Sequence, residues 1–197
     1  MPTSARAYHH GDLCASVLRA AGRLLEKQGV EGLRVRELAR RAKVSHNAPY
    51  RHFADRDALL AALAVQGFEE LDAWLRQAAG AGGLRAMGEA YVRFALERPQ
   101  RFRLMFGRRL ARAKHARLRA ASRELFGRLA GALAARVPGA QDARPASLAA
   151  WALAHGLALL LLEDCIAGEA AGAGRAGLVR AVLGSVRFAL GAPQDSA

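Results

Sequence analysis

The chain has 197 residues, 52% hydrophobic and 6% aromatic, enough for one large domain or two small ones around a sizeable core. Its net charge of +13 favours a polyanionic partner, although arginine outnumbers lysine 27 to 3 and a compositional preference accounts for part of the excess. The only cysteines, Cys14 and Cys165, lie far apart, which excludes a disulfide framework or a zinc spacing; with no apolar leader segment, a reducing cytoplasm is the expected setting.

Residues before Tyr8 read as an arm, with Arg6 placed to meet phosphate or the minor groove if the arm is ordered. Asp12 is positioned to cap a first helix that runs to about Gln28. Its apolar face is Leu13, Val17, Ala20, Ala21, Leu24 and Leu25, and Gly29 ends it. From Val35 to Phe53 the pattern predicts a helix, a three-residue turn and a short second helix. Val35, Leu38, Ala39 and Ala42 share one apolar face, and Arg36, Arg40 and Arg41 point away from it. Lys43-Val44-Ser45 is the turn, with Val44 as plug and Ser45 as N-cap; Pro49 falls in the first turn of the second helix, where a missing amide costs least. A helix-turn-helix of this kind places its second helix in the DNA major groove.

Asp55 caps a long helix expected from Arg56 to about Ala79, with Leu59, Leu60, Leu63, Phe68, Leu71, Trp74 and Leu75 inward. Ala79 to Gly83 is a glycine-rich break. An amphipathic helix follows from Leu84 to Glu97, then a small apolar knot of Phe102, Met105 and Phe106 after Pro99. Further helices are expected at about Leu110 to Val137, Ala146 to Ile166 and Arg175 to Leu190. Ala146 to Leu162 is nearly all apolar, interrupted by Ser147 and His155. It falls short of the ~20 residues of a membrane span and reads as a buried helix. The sum is an all-α chain of about nine helices: a helix-turn-helix domain at 1–55 and a helical bundle at 56–197 for dimerisation and effector binding.

In the helix-turn-helix, Ser45, His46, Asn47 and Ala48 open the recognition helix, and its N-terminal residues meet base edges. Asn47 can bond an adenine edge bidentately. Tyr50, Arg51, His52 and Arg56 are expected phosphate contacts, which position without specifying. The competing reading for each is a solvated polar face.

The segments Y-H-H-G-D-L (Tyr8 to Leu13), R-E-L-A-R-R-A (Arg36 to Ala42), V-S-H-N-A-P-Y-R-H-F (Val44 to Phe53) and R-D-A-L-L (Arg56 to Leu60) resemble the DNA-binding domain of TetR-family regulators. Trp151, His155 and Gly156, with the run Phe94 to Gly107, resemble the Trp-His-Gly class of the family's C-terminal domains. The resemblance implies a dimeric regulator of an operator, with an unknown small effector in the second domain, and supports Tyr50 as a phosphate ligand and Phe53 as core. Two positions depart from the family pattern. Arg34 stands where many members open the second helix with Ser or Thr, and Lys43 where many have Gly in the turn. Both offer a cation toward phosphate, and Lys43 in a left-handed conformation carries strain of about 1 kcal/mol.

For the second domain, Trp151 and His155 share a helical face at i, i+4. Core packing, a ligand-pocket wall and a dimer contact compete for them. Tyr91, Phe94, Phe102, Met105, Phe106 and Phe126 would complete a wall. A four-helix dimer interface, implied by the resemblance, draws on Leu153, Leu157, Leu160, Leu178, Val182, Leu183 and Val186. Arg98 to Arg128 holds many arginines and one acid, Glu124: a solvated face, a DNA contact near the reading head, or a lure for an anionic effector. No nucleophile elbow, phosphate-binding glycine loop or paired buried carboxylate indicates an enzyme, and no resident cofactor or metal is expected. The competing functions are a DNA-binding dimer that senses nothing and a haem or metal sensor using His155.

Overall fold

The structure, a computed structural model, describes residues 5–41, 52–111, 114–135, 144–166, 168 and 174–185, and of residues 5–13, 35 and 36 only the backbone. The described residues form seven helices and no strand: α1 Ala5–Gly32, α2 Val35–Arg41, α3 Arg56–Glu97, α4 Pro99–Phe106, α5 Ala116–Ala134, α6 Arg144–Leu162 and α7 Gly174–Ser185. The all-α class is as the sequence implies. The number differs from nine for two reasons. The recognition helix lies outside the described residues, and two expected helices are joined as α3.

That junction is a single residue. Gly83 has φ 68° and ψ −148° inside α3, and it is the only non-helical position there. Trp74 and Phe94 nevertheless stack edge-on with ring centroids 5.5 Å apart. Twenty residues of straight helix would span about 30 Å, so α3 turns back on itself at Gly83. The glycine-rich run before it stays helical. Only Gly83 needs a positive φ, which a residue with a Cβ adopts at a cost. Gly29, φ 68°, breaks α1 in the same way and ends its straight part where the sequence predicts. The N-terminal end of α1 differs from expectation: helix already runs from Ala5, so Asp12 lies within it and is not its cap.

The chain divides into two compact units that do not coincide with a cut after residue 55. One comprises residues 1–67 with 98–119, the other 68–97 with 120–197. In the first, Val17, Ala21, Leu24 and Leu25 of α1 are buried, as are Leu38 of α2, Phe53, and Leu59, Leu60 and Leu63 of α3. Asp55 caps α3 through Oδ1, which accepts from the Ala58 amide at 2.7 Å. Helix α4 packs on α1, and a carboxylate fastens it there. Glu26 accepts from the backbone amides of Gln100 and Arg101, both at 3.2 Å, at the open N-terminal turn behind Pro99. Burial raises the Glu26 pKa, while these amides and the Arg101 guanidinium, 3.8 Å away, act against that rise. Arg101 lies directly over Gly22, where a Cβ would sit 2.6 Å from its Nη2.

In the second unit, Phe68, Leu71, Tyr91, Val92, Phe94 and Ala95 of α3 are buried, with Leu125 and Leu133 of α5, Ala154, Leu157, Ala158 and Leu161 of α6, and Val179 of α7. Asp72 joins α3 to α5 by accepting from Arg128, and is also 3.1 Å from Arg76. Leu183 of α7 covers Gly88 of α3, where a Cβ would lie 3.1 Å from its Cδ1. Helix α6 is long and apolar enough to cross a membrane by length and composition, contrary to the expectation that it falls short. It is also less buried than expected. Ser147, Ala154, Leu157, Ala158 and Leu161 face the unit's interior, whereas Leu148, Leu159 and Leu160 are 46%, 40% and 44% exposed.

Candidate nucleic-acid interface and candidate ligand site

The described part of the helix-turn-helix begins with a short turn in which the Leu33 amide donates to the Val30 carbonyl at 3.2 Å. Arg34 occupies the N-cap position of α2. Its carbonyl accepts from Leu38 at 3.0 Å and its side chain is exposed, leaving the cation outward as the sequence suggests. Leu38 and Ala39 are buried on the inner side of α2. On the outer side Glu37 lies 2.8 Å from Arg40 Nη2 and 2.6 Å from Arg41 Nε. The hydrogen bonds from Arg40 and Arg41 hold the Glu37 carboxyl at about 2. Two cations and one anion therefore leave this face of α2 positive.

Arg56 has a task that periodicity does not reveal. Its Nε donates to the Leu33 carbonyl at 3.3 Å and its Nη2 to the Val30 carbonyl. The half-buried guanidinium thus clips the start of α3 to the turn between α1 and α2. Arg56, an expected phosphate contact, directs its fork to the carbonyls of Leu33 and Val30, the second of which also accepts from the Leu33 amide. His52 is half-buried beside the buried Phe53. Arg36 lies in α2, its side chain outside the described residues. Lys43, Ser45, His46, Asn47, Ala48, Tyr50 and Arg51 all lie outside them, as does the expected positive φ at Lys43.

The second constellation is built from α3, α5 and α6. Trp151 Nε1 donates to the Tyr91 hydroxyl at 3.1 Å, and that hydroxyl is 2.8 Å from His155 Nδ1. The indole N–H can only donate, so the phenol oxygen accepts it, while the hydroxyl and Nδ1 share the second hydrogen bond with roles set by the imidazole tautomer. Burial favours the neutral imidazole and the neutral phenol, pushing the His155 pKa down and the Tyr91 phenol well up. The rings reinforce the geometry. Trp151 and His155 centroids are 5.8 Å apart, one helical turn along α6, and Phe126 of α5 tilts against Trp151 at 5.8 Å. The sequence placed these four residues together but did not single out the Tyr91 hydroxyl as their hub. A lone polar tip at a buried helical position is the signal that could have found it.

The other residues of the expected wall have neighbours of their own. Phe102, Met105 and Phe106 belong to the unit that holds α1. There Phe102 is fully buried with its ring 4.8 Å from that of Phe106, and Met105 lies over Gly67, where a Cβ would meet its Sδ at 2.5 Å. Phe94 is fully buried against Trp74, whose ring also carries the Arg93 guanidinium at 5.1 Å. The eight aromatic and Met positions have helical spacing, but spacing does not say which neighbour each one meets. Among the expected interface residues, Leu157 is turned into the unit's own interior and Leu183 onto Gly88. Leu153, Leu178 and Val182 are half-buried, Leu160 is exposed, and Val186 is outside the described residues. No cluster of three or more His, Cys, Asp or Glu side chains suited to a metal occurs among the described residues.

Residues 17–63 match the family of "Bacterial regulatory proteins, tetR family", and residues 84–183 match the "Tetracyclin repressor-like, C-terminal domain". A Rhodococcus sp. RHA1 protein of unknown function is 36% identical, with a TM-score of 0.75 over 90% of this chain and 95% of that one. The chain belongs to the TetR family. The TetR-family regulator PfmR from Thermus thermophilus shares the fold at 20% identity, with a TM-score of 0.61 over 85% of this chain and 94% of that one. No curated protein matches the chain. TetR-family regulators are DNA-binding proteins, and both halves of that architecture are present here.

The neutral state of His155 has a consequence for stability. Its folded pKa lies below the ordinary 6.5, so as pH falls the unfolded chain takes up the proton first. The stabilisation is therefore complete above about pH 6.5 and is lost progressively below it. Thermal unfolding followed between neutral and mildly acid pH is expected to show this loss in the wild type and a flatter profile in His155→Gln. Parallel profiles would show that the imidazole carries no such linkage.

Proposed function

We propose that this TetR-family regulator is a homodimeric, ligand-responsive repressor that acts in the cytoplasm on a near-palindromic operator. The observation that carries the sensing part is the Trp151–Tyr91–His155 chain of hydrogen bonds set among buried apolar side chains. A polar relay in such surroundings is what a small-molecule site uses to orient its ligand. The same residues, with Gly156, are those that resemble the Trp-His-Gly class.

Dimerisation rests on α6. At 3.6 residues per turn, Leu148, Ala149, Ala152, Gly156, Leu159 and Leu160 fall in one stripe about 120° wide, and it contains no charge. The added Cβ of Gly156 meets nothing within 4 Å, so a second helix has room to approach closely there. Leu178 and Val182 of α7 extend the same apolar character. In the dimer, two recognition helices spaced about 34 Å apart read successive major grooves. An effector that binds better to a different spacing then lowers operator affinity.

Selection of bound duplexes from a random pool, followed by an effector screen on the recovered site, tests the proposal. A two-fold symmetric site released by a small molecule is expected. Within it, Tyr50→Phe lowers affinity for all sequences, whereas Asn47→Ala changes which base is preferred. An asymmetric site bound one chain at a time, or release by no compound, would favour the non-sensing alternative.

A further inference from the structure

Charge is divided unevenly between the two compact units. The unit of residues 1–67 and 98–119 carries twenty cationic and six acidic residues; the other carries ten and eleven. The first therefore nets +14 and the second −1. A general preference for arginine does not produce this, because the second unit is arginine-rich too and balances every one with an acid. The steepest part is residues 98–119, with eight arginines, one lysine and no acid in 22 residues.

This stretch follows α3 in sequence but is fastened to α1 of the first unit. Glu26 holds the first amides of α4, Met105 covers Gly67, and Arg109 reaches Glu31 at 3.4 Å. Its outer side chains, Arg103, Arg108, Arg109, Lys114, Arg117 and Arg119, are all exposed. Its aromatics are not: Phe102 is buried and Phe106 half-buried. A surface that binds single-stranded nucleic acid offers rings for bases to stack on, and a surface that binds a protein offers apolar anchors. This one offers cations alone.

We propose that Arg103, Arg108, Arg109, Lys114, Arg117 and Arg119 form a second phosphate-binding surface of this unit, which grips the backbone of duplex DNA outside the base-reading helix. It rests on the reading of this chain as a DNA-binding regulator. The surface adds affinity and no sequence preference, because phosphate contacts position without specifying. It stays with α1, to which Glu26 ties it.

The test is the salt dependence of binding of the full-length protein to a fluorescent duplex of mixed sequence. Each phosphate contact contributes about 0.9 to the slope of log K against log salt concentration. The variant Arg108→Gln/Lys114→Gln/Arg117→Gln is expected to lower that slope by roughly 2 to 3 and to leave the base-preference profile unchanged. Arg108→Lys/Arg117→Lys keeps the charges and is expected to keep the slope, which separates lost charge from lost folding. Arg123→Gln, exposed in the other unit, is expected to change nothing. A wild-type slope in the triple glutamine variant overturns the proposal, as does tighter binding of wild type to single strands than to duplex. Wild type that binds no duplex even at low salt would instead overturn the DNA-binding reading itself.

Discussion

Leu159→Glu/Leu160→Glu is expected to turn the proposed dimer into a folded monomer. Both leucines are exposed in the single chain, at 40% and 44%, so a charge there costs the protomer little. In a two-fold interface each substitution occurs twice. With about two fifths of its surface left to bury, each leucine contributes roughly 0.6–1.2 kcal/mol, so losing all four removes about 2.4–4.8 kcal/mol of association. At 1.4 kcal/mol per factor of ten, the dissociation constant rises at least about fiftyfold, and tight operator binding goes with it. Light scattering at micromolar concentration measures the mass, and circular dichroism shows whether the helices remain. A variant that stays dimeric would place the interface elsewhere. Leu183, which the apolar pattern of the last helix also nominates, is a poorer probe because it packs on Gly88 of its own chain.

Phe94→Ala is expected to have the largest effect on stability. The ring is fully buried and meets Trp74 edge-on at 5.5 Å across the two arms of α3. Truncating such a ring costs about 3–5 kcal/mol in lost burial and residual cavity. For a chain of this length each kcal/mol lowers Tm by about 2–4 °C, so a fall of roughly 6–20 °C is expected in a thermal melt. Phe126→Ala, at a half-buried ring, should cost much less. If Phe94→Ala melts within about 2 °C of wild type, Phe94 lines open space and belongs to a ligand wall after all. The two substitutions also separate two kinds of apolar residue in this unit: Phe94, buried in the chain's own fold, and the outer leucines of α6, exposed in the single chain.

The apolar repeats made most of the helices legible. Period-3.6 spacing and local punctuation agree at Gly29, Asp55 and Pro99, and at each the structure shows the expected break, cap or first turn. The candidate sites were legible in part. Tyr91, Phe126, Trp151 and His155 do meet, because Trp151 and His155 share a face by helix geometry alone. Phe102, Met105 and Phe106 are chemically alike to them, and likeness carries no information about which compact unit a helix belongs to. The charge of Arg56 points to phosphate, whereas its bonds to the Val30 and Leu33 carbonyls depend on a neighbour more than twenty positions away.

By itself the sequence determined what is local: helices and their ends, the helix-turn-helix with its family resemblance, the excess of positive charge, and an apolar helix too rich for one core. Only the tertiary structure decided what depends on residues distant in the chain. The reversal of α3 rests on one positive φ among several neighbouring glycines. The attachment of α4 to α1 rests on Glu26 meeting amides some 75 positions away. Such pairings leave no period in the sequence, because they are selected by the burial and hydrogen-bond satisfaction of the whole unit rather than by the preferences of any one segment.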